Sequence, residues 1–241
     1  MVHQMSKLTR WLCALVLLVA CAAPHALGQR IHPNLKAGKL KVQRLVVLPA
    51  DVTLIKDGMK GSEPMEKEAA VATPIIEQAI GKGFTKKQFA VLESPFKPEN
   101  LQDNEKLRYA LADFKRNLAE LQKQMSGKMK DIEKGRFTLG DQVLLLNQDD
   151  NIDAFVLVRA VGLQKTGGKK ALALITLNPL LLLPFYTIAV TLVDARTGDI
   201  LAANTLYSLV DLTKADDKKL VALVEGRFKK LPAPATAAKA P

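Results

Sequence analysis

Asp149, Asp150 and Asp153 form the densest cluster of side chains in this chain that could move a proton or hold a cation. Paired carboxylates can share general-acid and general-base work on a glycosidic bond, and several together can chelate Ca²⁺. The Ca²⁺-loop spacing, its glycine and its distal Glu are missing here. A solvated acidic turn is therefore the expectation, with a carboxylate-based hydrolase the lesser alternative. The commoner catalytic groups are scarce. The histidines are His3, His25 and His32, all at or before the entry to the fold, and the cysteines are Cys13 and Cys21. A Ser-His-Asp or Cys-His site would have no base to use beyond His32. G-x-S-x-G, H-E-x-x-H, G-x-x-x-x-G-K-S/T and G-x-G-x-x-G are absent, so no cofactor or metal site is expected. Thr166-Gly167-Gly168-Lys169 superficially suggests a phosphate loop, but two glycines at a hairpin turn explain it better.

The remaining chemistry is a modification. Leu18-Val19-Ala20-Cys21 has the form of a lipobox, in which the cysteine is diacylated and becomes the new N-terminus. It sits within residues 1–28, which have the three parts of an export signal: Lys7 and Arg10, the apolar run Trp11 to Ala20, and small residues near a cleavage site. The run is too short to stay in a bilayer as a spanning helix. Ala26-Leu27-Gly28 before Gln29 fits an ordinary signal-peptidase site, so two processing readings stand: lipidation at Cys21, or a free Gln29. A diacyl anchor carries two chains, enough for stable attachment. Either reading sends the protein to the periplasm or to the periplasmic face of the outer membrane.

Across 241 residues, 48% are hydrophobic and 24% charged, which excludes a wholly disordered chain. Aromatics are 5%, so the core must be mostly aliphatic. The formal charge is +11. That charge raises nucleic acid as a partner, but export and the absence of an aromatic-basic platform count against it. Residues 29–41 carry Arg30, Lys36, Lys39 and Lys41 with no acid. This basic lead-in arm reads as a solvated linker, with contact to anionic lipid or glycan as the alternative. The folded domain is expected over 42–231, followed by a disordered Ala/Pro tail over 232–241.

The elements that must hold these residues follow from periodicity. Leu45-Val46-Val47-Leu48-Pro49 reads as a strand buried on both faces. A helix follows, capped by Ser62, kinked or restarted at Pro74 and ended by Gly81 and Gly83. Phe89 to Leu92 is a second strand. Leu107, Leu111, Phe114, Leu118, Leu121, Met125, Met129 and Ile132 recur every three or four residues, which predicts one long helix from Asn104 to Lys134. It covers a sheet or offers a partner seam. A short helix follows from Thr138 through Leu146, then a strand from Ala154 to Val161. Residues 171–193 contain no charge. Pro179 and Pro184 favour two buried strands joined by the apolar loop Leu180–Leu183, with insertion into lipid as the alternative. Thr191 to Ala202 reads as a hairpin turning at Thr197-Gly198, and a last amphipathic helix runs from Lys214 to Lys229.

This order gives an α/β (α+β) fold, a single sandwich of helices packed on a mixed β-sheet with one long amphipathic helix. Arg44-Leu45-Val46-Val47-Leu48-Pro49, Ile152-Asp153-Ala154-Phe155-Val156-Leu157-Val158 and Leu192-Val193-Asp194-Ala195-Arg196-Thr197-Gly198-Asp199-Ile200-Leu201 together carry a resemblance. The chain resembles the envelope domain shared by the curli-secretion lipoprotein CsgG, the penicillin-binding-protein activator LpoB and the N-terminal domain of TolB. That resemblance implies a module that acts by binding and assembly, through an envelope protein partner or self-assembly, with no catalytic residues to transfer. Arg159 stands where the family strand turns to glycine. A membrane-inserted secretion or assembly subunit using 171–193 is the alternative.

Overall fold

The computed structural model describes residues 29–147, 151–168, 185–208, 212 and 217–234. The N-terminal half supplies β1 (Arg30–Ile31), α1 (Pro33–Lys36), β2 (Arg44–Val47), β3 (Asp51–Gly58), β4 (Gly61–Pro64), α2 (Glu66–Lys86) and β5 (Ala90–Val91). Next come α3 (Pro98–Asp103), α4 (Glu105–Met125) and two 3₁₀ helices, Met129–Lys134 and Gly140–Leu145. β6 (Ala154–Lys165), β7 (Phe185–Asp194), β8 (Ile200–Ser208) and α5 (Asp217–Arg227) complete the order.

The fold is α+β, with helices on a mixed eight-stranded sheet of order β1-β8-β7-β6-β2-β5. β2 and β3 are successive parts of one path beside β6. Val46 sits opposite Phe155, and after a break at Pro49-Ala50 the pairing resumes with Asp51 opposite Arg159. β4 then flanks β3 as β5 flanks β2. Long apolar strands at the centre, β6 and β7, are buried on both faces over their first shared half, which is why they read as continuous hydrophobic runs.

One face packs against α2 and α5 through Ile76, Ile80, Phe84, Val224 and Phe228 over Val156, Val190 and Leu192. The two helices meet at Gly83, where a Cβ would lie 2.6 Å from a Val224 methyl. The opposite face packs against α4, whose stripe from Leu107 to Met125 lies on Phe155, Leu157 and Val193. Phe114 meets Phe155 edge-on with ring centroids 6.1 Å apart.

Several expectations need correction. The helix predicted over Asn104–Lys134 ends at Met125, because Gly127 takes a positive φ of 74°. The periodicity continues past that point because the 3₁₀ turn returns Ile132 to the same core. The stripe is buried on the sheet, so α4 covers it as expected. Ser62 does not cap a helix. It lies in β4 and its hydroxyl bonds Asp57, while α2 starts at Glu66. α2 runs unbroken through Pro74 and past Gly81 and Gly83. The basic arm is folded, with β1 on β8 and Ile31 and Leu35 buried. The second of the two strands expected within 171–193 is present as β7, Phe185–Asp194. Among the described residues no helix is long and apolar enough to cross a membrane. The loop Leu180–Leu183 lies outside them.

Candidate functional site

The α4 face of the sheet is covered over only half its length. Strand alternation turns Arg159 and Val161 of β6 toward that face, with Thr187, Ala189 and Thr191 of β7. Register then builds two rows past the part of the sheet that the apolar stripe of α4 covers. The first is Asp51, Arg159, Ala189 and Thr205; the second is Thr53, Val161, Thr187 and Tyr207. In the second row Val161 and Tyr207 remain 37% and 40% exposed.

Two hollows flank the C-terminal end of α4 and meet at Gln122 and Arg159. The larger, about 820 Å³, has a floor of Ala189, Thr191, Ala203 and Thr205 and is walled by Met125 to Asp131. Arg30, Lys128, Lys130, Lys134 and Arg159 line it against a single acid, Asp131. The smaller, about 560 Å³, lies between α2, α4 and the β2–β3 break.

Some of this charge is already committed. Lys134 reaches Asp131 at 2.8 Å, Arg30 reaches Glu133 at 3.1 Å, and Lys115 takes Asp51 at 2.9 Å. The Lys134 hydrogen bond holds the Asp131 carboxyl below the usual range. Among the described residues Arg159 and Lys130 have no hydrogen-bond or ion-pair partner in their side chains. Beside the smaller hollow, half-buried Glu77 accepts the Ala50 N–H at 2.7 Å, a donor freed by the strand break. Burial pushes its pKa up, against the opposing pull of that hydrogen bond and of Lys115.

Of the acids singled out in the sequence, Asp149 and Asp150 lie outside the described residues, as does Cys21. Asp153 is a clamp between strands. Its carboxylate accepts the Gln43 and Arg44 amides at 3.0 and 2.9 Å and the Arg44 guanidinium at 3.1 Å. Burial pushes its pKa up, but these bonds outweigh burial and leave it below the ordinary value. That is the wrong direction for a general acid. Because the folded value is depressed, the clamp stabilises above the ordinary carboxylate pKa and loses its effect as pH falls through the folded value. Asp153→Asn should cost about 1–3 kcal/mol at pH 7, read by urea denaturation. The gap to wild type should close in acid; a gap unchanged from pH 7 to pH 2 would contradict the clamp. His32 is buried, and its Nδ1 accepts the Asn34 N–H to cap α1. Among the described residues no three of His, Cys, Asp and Glu are grouped to hold a metal ion.

Sequence reasoning missed the uncovered rows. A signal was present: a lone arginine inside an apolar strand, and small or polar residues at every second position of β7.

No family model matches the chain, and no curated protein matches it. Solved structures similar to it include a PelC variant dodecamer from Paraburkholderia phytofirmans, at 11% identity and a TM-score of 0.39, covering 87% of this chain and 99% of that one. Lipoprotein GNA1162 from Neisseria meningitidis is 12% identical with a TM-score of 0.33, covering 81% and 99%. The LpoB C-terminal domain from Salmonella enterica is 12% identical with a TM-score of 0.30, covering 74% and 95%. Likeness at this level assigns neither ligand nor partner.

Proposed function

We propose that this chain is an exported, non-enzymatic binding module of the cell envelope, and that it works through the uncovered half of its sheet. The carrying observation is the pair of rows around Arg159 and Val161: an unpaired guanidinium beside exposed Val161 and Tyr207, on a face that α4 covers only in part. An unengaged arginine beside exposed apolar and aromatic side chains is the composition that binding surfaces use. Asp153, the described member of the acid cluster, is occupied as a clamp with a lowered pKa, which supports binding over hydrolysis. The export signal over 1–28 gives the address, through a lipid on Cys21 or a free Gln29. Residues 42–231 form the working domain, extended by the packed arm. The test is occupancy: a cysteine placed at Val161 should be shielded in the intact envelope and reactive once the protein is purified. Equal reactivity in both would overturn the proposal.

A further inference from the structure

We infer that the larger cleft takes a carboxylate-bearing polysaccharide chain, an inference that rests on the binding-module reading above. Charge comes first. Five cations face one acid there, and Lys134 already occupies that acid. Lys130 and Arg159 are left to meet a ligand's negative groups. Arg159 presents a planar fork that matches a carboxylate in two parallel bonds, and Lys130 adds a mobile point charge.

The floor then selects among anions. It lies on the face of the sheet over β7, whose backbone is paired on both sides, so a peptide strand laid across it finds no ladder to join there. The floor residues are small and half of them carry hydroxyls, Ala189, Ala203, Thr191 and Thr205, a mixture that suits a ligand with both C–H faces and hydroxyls better than a wholly apolar acyl chain. A sugar ring can lie flat on such a floor with its C–H face against the alanines. Its hydroxyls can pair with Thr187, Thr205, Gln122 and Ser126, which all line the cleft. The second hollow joins this one at Gln122 and Arg159, so a chain longer than the cleft has a path onward.

The test uses the full mature chain and polygalacturonate as the probe, by calorimetry at low and physiological salt, since such contacts are screened. Neutral dextran, poly-L-glutamate and phosphatidylglycerol vesicles are the comparisons. Wild type should bind polygalacturonate and not dextran. Lys130→Glu with Arg159→Glu should weaken binding about tenfold or more. Lys82→Glu with Lys219→Glu makes the same change of net charge on the opposite face of the sheet and should weaken binding less than about threefold. Circular dichroism checks that both double variants fold, as expected for exposed positions. Equal weakening by both pairs would reduce the effect to net charge and overturn the inference. Tighter cleft-dependent binding of poly-L-glutamate or of vesicles would overturn it in favour of an acidic protein or a lipid surface, leaving the binding module standing. If no probe binds, the inference falls. The shielding of a cysteine at Val161 then decides whether the binding module falls with it.

Discussion

Val156→Asp should abolish soluble folding. Val156 is fully buried at the centre of the sheet, between Val47 of β2 and Leu192 of β7. The side chain points into the core that α2 and α5 share, where its neighbours are aliphatic. A carboxylate there either stays charged without a partner or takes up a proton and leaves a buried acid unsatisfied, at a cost of several kcal/mol. The lost apolar burial adds about 1.5–3 kcal/mol. Set against a typical total stability of about 5–15 kcal/mol, the sum removes most of the margin. Val161→Asp is the control, on the same strand but exposed on the uncovered face. It should fold, and the pair is read by soluble yield and circular dichroism. A well-folded Val156→Asp protein would overturn the sheet assignment.

Gly198→Val should be the next most damaging change outside the core. Gly198 closes the β7–β8 turn at a φ of 75°. The turn is set by Asp194, whose side chain accepts the Arg196 and Thr197 amides at 2.8 and 2.9 Å. A β-branched residue at positive φ costs about 1–3 kcal/mol. A second cost comes from crowding: a Cβ at Gly198 would lie 2.5 Å from the Gly140 oxygen and 2.7 Å from its nitrogen. Backbone cannot rotate away as a side chain can. The segment at Thr138–Gly140 must move, giving up the Leu139 N–H bond to the Gly198 carbonyl. The expected loss is about 3 kcal/mol or more, from urea unfolding. Gly127→Ala separates the two causes. Gly127 also has a positive φ, 74°, but nothing lies within 4 Å of its Cβ position. It should cost only about 1 kcal/mol. Equal losses at the two glycines would contradict the crowding.

The strands and turn were legible because their signals are local. Val46, Val156 and Leu192 each sit inside an apolar run, and all three are buried in one sheet. Thr197-Gly198 turns where glycine permits. The hairpin of β3 and β4 was not legible, since Asp51 to Pro64 is half polar and its strands have exposed sides. Its stability comes from pairing β3 with β6, a contact across more than a hundred residues that periodicity does not see. The N-terminal arm escaped for the same reason: β1 is two residues long and is held by distant β8. The end of α4 was missed because a 3₁₀ turn preserved the spacing of Ile132. Of the candidate site, Arg159 was visible as an anomaly in a strand, but its meaning was not. Only the register of β6, β7 and β8 brings it beside Ala189 and Thr205.

Occupancy of the uncovered face in the native envelope tests the central claim most directly. Residues beyond Cys21 contain no cysteine, so a single one can be introduced cleanly. Val161→Cys places it on the face, and Val71→Cys places it on exposed α2 as the reference. Maleimide labelling rates are then compared in intact envelopes and in purified protein. A face filled by its partner should label about tenfold more slowly in the envelope, by mass action between bound and free forms, while Val71→Cys labels alike in both. Labelling of Val161→Cys at the same rate in the two settings would mean that the face is empty where the protein works, and would contradict a binding role for it.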